Sequence, residues 1–103
     1  MGGGLRRRPR LDANQTALVA ALVKSGATVQ SLASIGGGCP DLLVGWRGMT
    51  LLMEVKDGSK PPSHRKLTVD EEAWRDAWNG GTVYLVTSLQ DALDAMQIEE
   101  GPM

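Results

Sequence analysis

Apolar positions along the chain follow two spacings, and the switches between them outline the elements. Leu18, Val19 and Leu22 form a helical stripe, with Asp12 as a plausible cap and Gly26 as a stop, so a helix is predicted over 13–25. Thr28 to Leu32 alternates weakly, as a strand does, and leads to Gly36-Gly37-Gly38. Two runs rich in Leu and Val follow, from Asp41 to Gly45 and from Thr50 to Lys56. Gly45-Trp46-Arg47-Gly48 between them reads as a turn, which predicts a β-hairpin. Thr68 with Glu71 three residues later forms a capping-box pattern opening a helix over 69–79, which Gly80-Gly81 ends. Thr82 to Val86 is a clear strand, Ser88 caps a last helix over 89–97, and residues 99–103 are expected to fray.

The predicted order is α-β-β-β-α-β-α. Strands joined by a hairpin pair antiparallel, whereas the helix between 50–56 and 82–86 allows those two to pair in parallel by a right-handed crossover. The fold class expected is α/β, with a central mixed sheet flanked by helices. A chain of 103 residues with 42% hydrophobic content supports one core, not two. The organisation expected is a basic arm over 1–11, one domain over 12–98 and the tail.

A hairpin turn centred on Arg47 and Gly48 sets Asp41 opposite Glu54, Leu43 opposite Leu52 and Gly45 opposite Thr50. Opposed side chains lie roughly 4.5–5.5 Å apart at Cβ, and like charges placed so are destabilising. Lys56 shares the face of Glu54, two residues on. Two carboxylates and an ammonium gathered between apolar flanks are explained by a divalent metal. Mg²⁺ takes oxygen ligands, keeps several waters, and is held by one or two carboxylates together with substrate phosphate oxygens. Asp41 and Glu54 supply the carboxylates and the Val55 carbonyl a third oxygen. Lys56 would position a nucleophilic water or stabilise charge on the phosphorane. The reaction implied is metal-dependent hydrolysis of a phosphodiester. The plainer reading is an exposed ion pair in Glu54-Val55-Lys56 and turn chemistry in Pro40-Asp41; the combination of both in one hairpin favours the metal.

With Pro40-Asp41 and Glu54-Val55-Lys56 as its two halves, the chain resembles the PD-(D/E)xK nuclease superfamily. Within it, the chain looks most like the virus-type replication-repair nuclease group (VRR-NUC) and related small phage nucleases, from about Asp12 to Leu93. The resemblance implies a restriction-endonuclease-like α-β-β-β-α-β core, a need for Mg²⁺ or Mn²⁺, and endonucleolytic cleavage of DNA, often branched. Holliday junctions and flaps in replication, recombination or repair are the sharper expectation, with a homodimer presenting two sites and a phage or prophage source. By position, Asp41 and Glu54 would bind metal and Lys56 would be the catalytic lysine. Two positions depart from the family pattern. A supporting glutamate on the first helix is replaced by Gln15, and the Gln of a Ser-x-x-Gln pattern by Glu71 in Thr68-Val69-Asp70-Glu71.

Charge changes the picture further. The net charge is only −1, but residues 1–66 hold ten Lys and Arg against four acids, and residues 67–103 one against eight. The basic part contains the proposed site. Arg6, Arg7, Arg8 and Arg10 read as an arm for phosphates or as a solubilising leader. Lys60, His64, Arg65 and Lys66 sit in a Pro-rich surface loop just after Lys56, fit to hold a DNA backbone or simply to be solvated. Gly37 and Gly38 would let a DNA backbone approach, or merely turn the chain; lacking Gly-Lys-Ser/Thr, they are no P-loop, and a nucleotide cofactor is disfavoured. Asp57, which ends the strand, reads as a turn residue sooner than as a ligand.

Trp74 and Trp78 share a helix face and read as core or subunit contact in preference to base stacking. Lone Cys39 excludes an internal disulfide, suits a reducing cytoplasmic setting, and reads as a packing residue rather than a nucleophile. No apolar run approaches a membrane span. Two other function classes compete with the nuclease: a non-catalytic nucleic-acid-binding module on the same scaffold, and an interaction protein acting through its acidic part and its tryptophans.

Overall fold

A computed structural model describes residues 13–102. The basic arm and Asp12, the expected cap, lie outside the described residues. Helix α1 spans Ala13–Lys24, strand β1 Thr28–Ser31, β2 Leu42–Trp46 and β3 Met49–Val55. Helix α2 spans Val69–Ala77, β4 Val83–Val86 and α3 Leu89–Glu100, with a short 3₁₀ turn at Pro62–His64. The strands form one mixed sheet in the order β1-β2-β3-β4. β1 and β2 are antiparallel, as are β2 and β3, while β3 and β4 are parallel. The α/β class, the element order and the mixed sheet are as the sequence predicts.

The hairpin turn sets the register. Trp46 pairs with Met49, which leaves Arg47 and Gly48 as a two-residue loop, and both have positive φ, 51° and 80°. That is the type I′ geometry whose twist matches the flanking strands. A non-glycine in the left-handed region is disfavoured, and here the arginine is anchored: its guanidinium lies 4.3 Å above the Trp46 ring and 3.3 Å from Glu100. Leu43 then pairs with Leu52 and Gly45 with Thr50.

Strand alternation divides the sheet into two unlike faces. Leu42, Val44, Leu51, Met53, Val55 and Val86 are buried and join Leu18, Leu22, Ala92, Ala95 and Met96 in one core. Helix α1 packs on β1, α3 packs on β3 and β4, and the two helices touch each other. The opposite face carries Leu43, Thr50, Leu52 and Glu54. Helix α2 lies on this side, where its Glu71 reaches Lys56 and its C-cap residue Trp78 lines a hollow with Leu43, Thr50 and Leu52. No residue of α2 is buried.

Three expectations change. Trp74 and Trp78 are absent from the core cluster, Trp78 being 44% exposed, because α2 lies over the side of the sheet that α1 and α3 leave open. Helix α2 ends at Ala77, since Trp78 turns extended at φ −78°, ψ 121° before Gly80-Gly81 is reached. Helix α3 continues to Glu100, two residues into the segment expected to fray. It ends where Gly101 takes φ 80° and donates its N–H to the Gln97 and Ile98 carbonyls.

Candidate active site

The ladder between β2 and β3 closes at Leu42 and Met53, one position short of the two acids. Beyond it Asp41 replaces main chain with side chain: its Oδ2 accepts the Val55 N–H at 2.8 Å. Its own carbonyl accepts the Leu32 N–H at 2.7 Å, which ties the start of β2 to the end of β1. Pro40 before it is fully buried. Asp41 is thereby fixed from both neighbouring strands, at the place the sequence register assigns it.

Glu54 is only 3% exposed. Burial, the Asp41 charge and hydrogen bonding to Glu71 and Asp41 push its carboxyl up to about 9. Near neutral pH it therefore holds a proton unless a cation replaces it. Lys56 Nζ lies 3.6 Å from Glu54 Oε2 and 2.8 Å from Glu71 Oε1. Burial alone would lower the lysine, but the Glu71 hydrogen bond and charge, followed by Glu54, outweigh it and raise it. Burial likewise works against charge on Glu71, yet hydrogen bonds from Lys56 and the Thr68 N–H hold it below the usual range. The two glutamates thus diverge, one neutral and one ionised.

Glu71 completes the capping box of α2, with Thr68 Oγ1 accepting the Glu71 N–H at 3.2 Å and Glu71 Oε1 accepting the Thr68 N–H at 2.8 Å. A residue that the pattern explains as a cap is therefore also in the charge cluster. Asn14, which the sequence reading passes over, donates from Nδ2 to the Lys56 carbonyl at 3.2 Å. Neighbouring Gln15 is buried in the same helical turn. Asn14 carries no local signal for this placement, because the contact joins positions 42 residues apart.

Gly38, with φ 89°, sits so close to the Asp70 carbonyl that a Cβ would strike it. This gives one glycine of the run a packing reason, seating the loop against the start of α2. Gly37, also left-handed at φ 66°, has open space around it. Lys60, His64 and Lys66 are exposed in the loop after β3. Arg65 is half-buried, and its Nε is shielded from solvent with no acceptor among the described residues. Asp57 accepts from the Ser59 N–H at 2.9 Å and the Ser59 hydroxyl at 2.7 Å, a local turn. Burial, then the Glu54 and Asp41 charges, raise the Cys39 thiol, which disfavours a thiolate nucleophile.

Among the described residues, no group of three or more His, Cys, Asp or Glu side chains forms a cage for a metal ion. The pair Asp41 and Glu54 still fits a hard divalent cation. Their mutual repulsion and the raised Glu54 carboxyl are relieved by a positive ion between them, and Mg²⁺ needs only one or two protein carboxylates.

No family model matches the chain. No curated protein and no solved structure is significantly similar to it.

Proposed function

We propose that the chain is a metal-dependent endonuclease hydrolysing phosphodiesters in DNA. The observation that supports this most is the meeting of Asp41, Glu54 and Lys56 on one face at the end of the hairpin, where the first two face each other across the strands. Mg²⁺ or Mn²⁺ held by Asp41, Glu54 and the Val55 carbonyl would polarise the phosphodiester and lower the pKa of a water.

The chain's own residues account for the rest. Asp41 is held ready by the Val55 N–H, so a ligand oxygen is oriented before the cation arrives. Lys56, kept charged by Glu71 and Glu54, would stabilise negative charge developing on the phosphorane. A protonated lysine is a donor, so this role suits it better than that of a general base. The exposed Lys60, His64 and Lys66, with half-buried Arg65 among them, would hold the phosphate backbone beside it. Gly37 would let that backbone pass close. The likeness of Pro40-Asp41 and Glu54-Val55-Lys56 to PD-(D/E)xK nucleases supports the same reading, and with it branched DNA, a homodimer and a cytoplasmic, phage-related setting.

A second reading has an observation of its own. Lys56 is paired with the ionised Glu71 at 2.8 Å beside the Glu54 carboxyl, as expected of a structural ion pair in a binding module that cuts nothing. Labelled linear, flap and four-way-junction DNA incubated with and without Mg²⁺ or Mn²⁺ separates the two. Cutting that needs metal and is lost in Asp41→Asn and Lys56→Ala supports the nuclease. Binding without cutting by wild-type protein sinks it in favour of the module.

A further inference from the structure

On the sheet face that carries Glu54, a hollow of about 350 Å³ opens beside the C-terminal end of α2, lined by Leu43, Thr50, Leu52, Trp78, Gly81 and Thr82. We propose that this hollow is a subsite for one unpaired nucleobase of the strand being cut, seated against the Trp78 indole. The proposal rests on the nuclease reading and narrows its substrate to DNA with at least one unpaired nucleotide.

Position is the first argument. Leu43 and Leu52 form a directly opposed pair, and each lies two residues from Asp41 or Glu54 on the same face. Two strand residues span roughly 6.6 Å, a distance one nucleotide unit bridges. The basic loop leaves β3 at the other side of the acids. Hollow, acids and basic loop therefore lie in sequence along β3, matching base, scissile phosphate and neighbouring phosphates along one strand. A substrate already held by phosphate contacts would present its next base here.

Chemistry is the second. Leu43, Leu52 and the indole offer an apolar slot for a flat ring, and the Thr50 hydroxyl supplies a polar group, both donor and acceptor, that can answer any base edge. The slot is pre-formed. Trp78 stacks on Trp74 with ring centroids 4.9 Å apart and planes 18° apart, and Gly80 lies so near the indole that a Cβ would collide with it. Size excludes the alternative of a protein partner held by this hollow alone. A stable protein interface covers about 800 Å² on each side, whereas this slot is at the small end of single-ligand cavities.

The test is equilibrium binding, in chelator so that nothing is cut, of fluorescein-labelled single-stranded, flap and blunt duplex oligonucleotides to the full chain. Trp78→Ala should weaken single-stranded and flap binding roughly 5- to 150-fold, the range for loss of one base–aromatic contact, and leave duplex binding unchanged. Trp78→Phe should recover most of it. Thr50→Phe fills the slot from an exposed position without removing core packing and should reproduce the loss. Equal affinity of wild type and both blocking variants for single strands overturns the subsite while leaving the nuclease standing. Equal losses on duplex overturn it too. Sedimentation showing that Trp78→Ala or Thr50→Phe breaks a dimer, with single-strand affinity untouched, assigns the hollow to a second copy instead. Wild-type protein that binds no DNA at low salt removes both the subsite and the nuclease reading.

Discussion

The Lys56 ammonium donates a 2.8 Å hydrogen bond to Glu71, so the lysine at the end of β3 is held by the first turn of α2. The same carboxylate oxygen accepts the Thr68 N–H, which makes one atom both a helix cap and a clamp. The two roles separate by mutation. Glu71→Gln keeps an acceptor for Thr68 but loses the charge opposite Lys56, and should cost about 1 kcal/mol of stability to urea. Cleavage should fall about tenfold, the difference between a charge-assisted and a neutral hydrogen bond to the lysine. Glu71→Ala removes both and should also cost about 0.5–2 kcal/mol of stability. A Gln variant as active as wild type would show that the clamp contributes nothing to the reaction.

Glu54 gives the protein a distinctive pH response. Its folded carboxyl is raised to about 9 by burial, the Asp41 charge and its hydrogen bonds, above the ordinary value of 4.5. Between those values the folded state binds more protons than the unfolded, so this group's contribution to stability is full below about pH 4.5 and is lost as pH climbs toward 9. Glu54→Gln, neutral and of the same shape, should flatten that decline and raise the thermal midpoint above pH 7 in chelator while abolishing cleavage. Parallel pH profiles for variant and wild type would disprove the assignment.

On the metal-dependent reading, a cation taken up between Asp41 and Glu54 displaces the proton from Glu54. At pH 7.5, titration calorimetry with Mg²⁺ in two buffers of unlike ionisation enthalpy should give different heats, corresponding to release of about one proton. Affinity should rise with pH across the same range. Identical heats in both buffers would mean that Glu54 is not a ligand.

Gly38 and Gly37 should respond unequally to alanine. Both have left-handed backbones, but only at Gly38 would the new Cβ meet the Asp70 carbonyl. Gly37→Ala should cost about 1 kcal/mol from backbone strain, and Gly38→Ala distinctly more, since α2 has to shift. Chemical unfolding of the two variants checks the order, and equal midpoints would refute the contact.

How far the site could be read in advance depended on sequence separation. Asp41, Glu54 and Lys56 are connected by a two-residue turn, and strand alternation carries that short link to a face and a register. The capping box at Thr68 and Glu71 was visible for the same reason, being complete within four residues. What remained hidden was which sheet face α2 would cover. The pattern of α2 identifies a helix with Trp74 and Trp78 on one side, but that side does not say which sheet face it meets, and none of the helix's residues is buried. The tryptophans consequently read as core or subunit contact, and Glu71 first of all as a helix cap. Asn14 was invisible, since nothing near it in the chain announces the end of β3 as its partner.

The turn at Arg47 and Gly48 lies at the opposite end of the hairpin from the acids, yet it decides whether they meet. With the two-residue turn kept, a single residue inserted there by replication error would slip one strand by one position and turn Asp41 or Glu54 toward the packed side of the sheet. Only a turn that takes the extra residue into a longer loop keeps the two acids opposed. The loop from Asp57 to Leu67 sets no hairpin register and carries no such constraint.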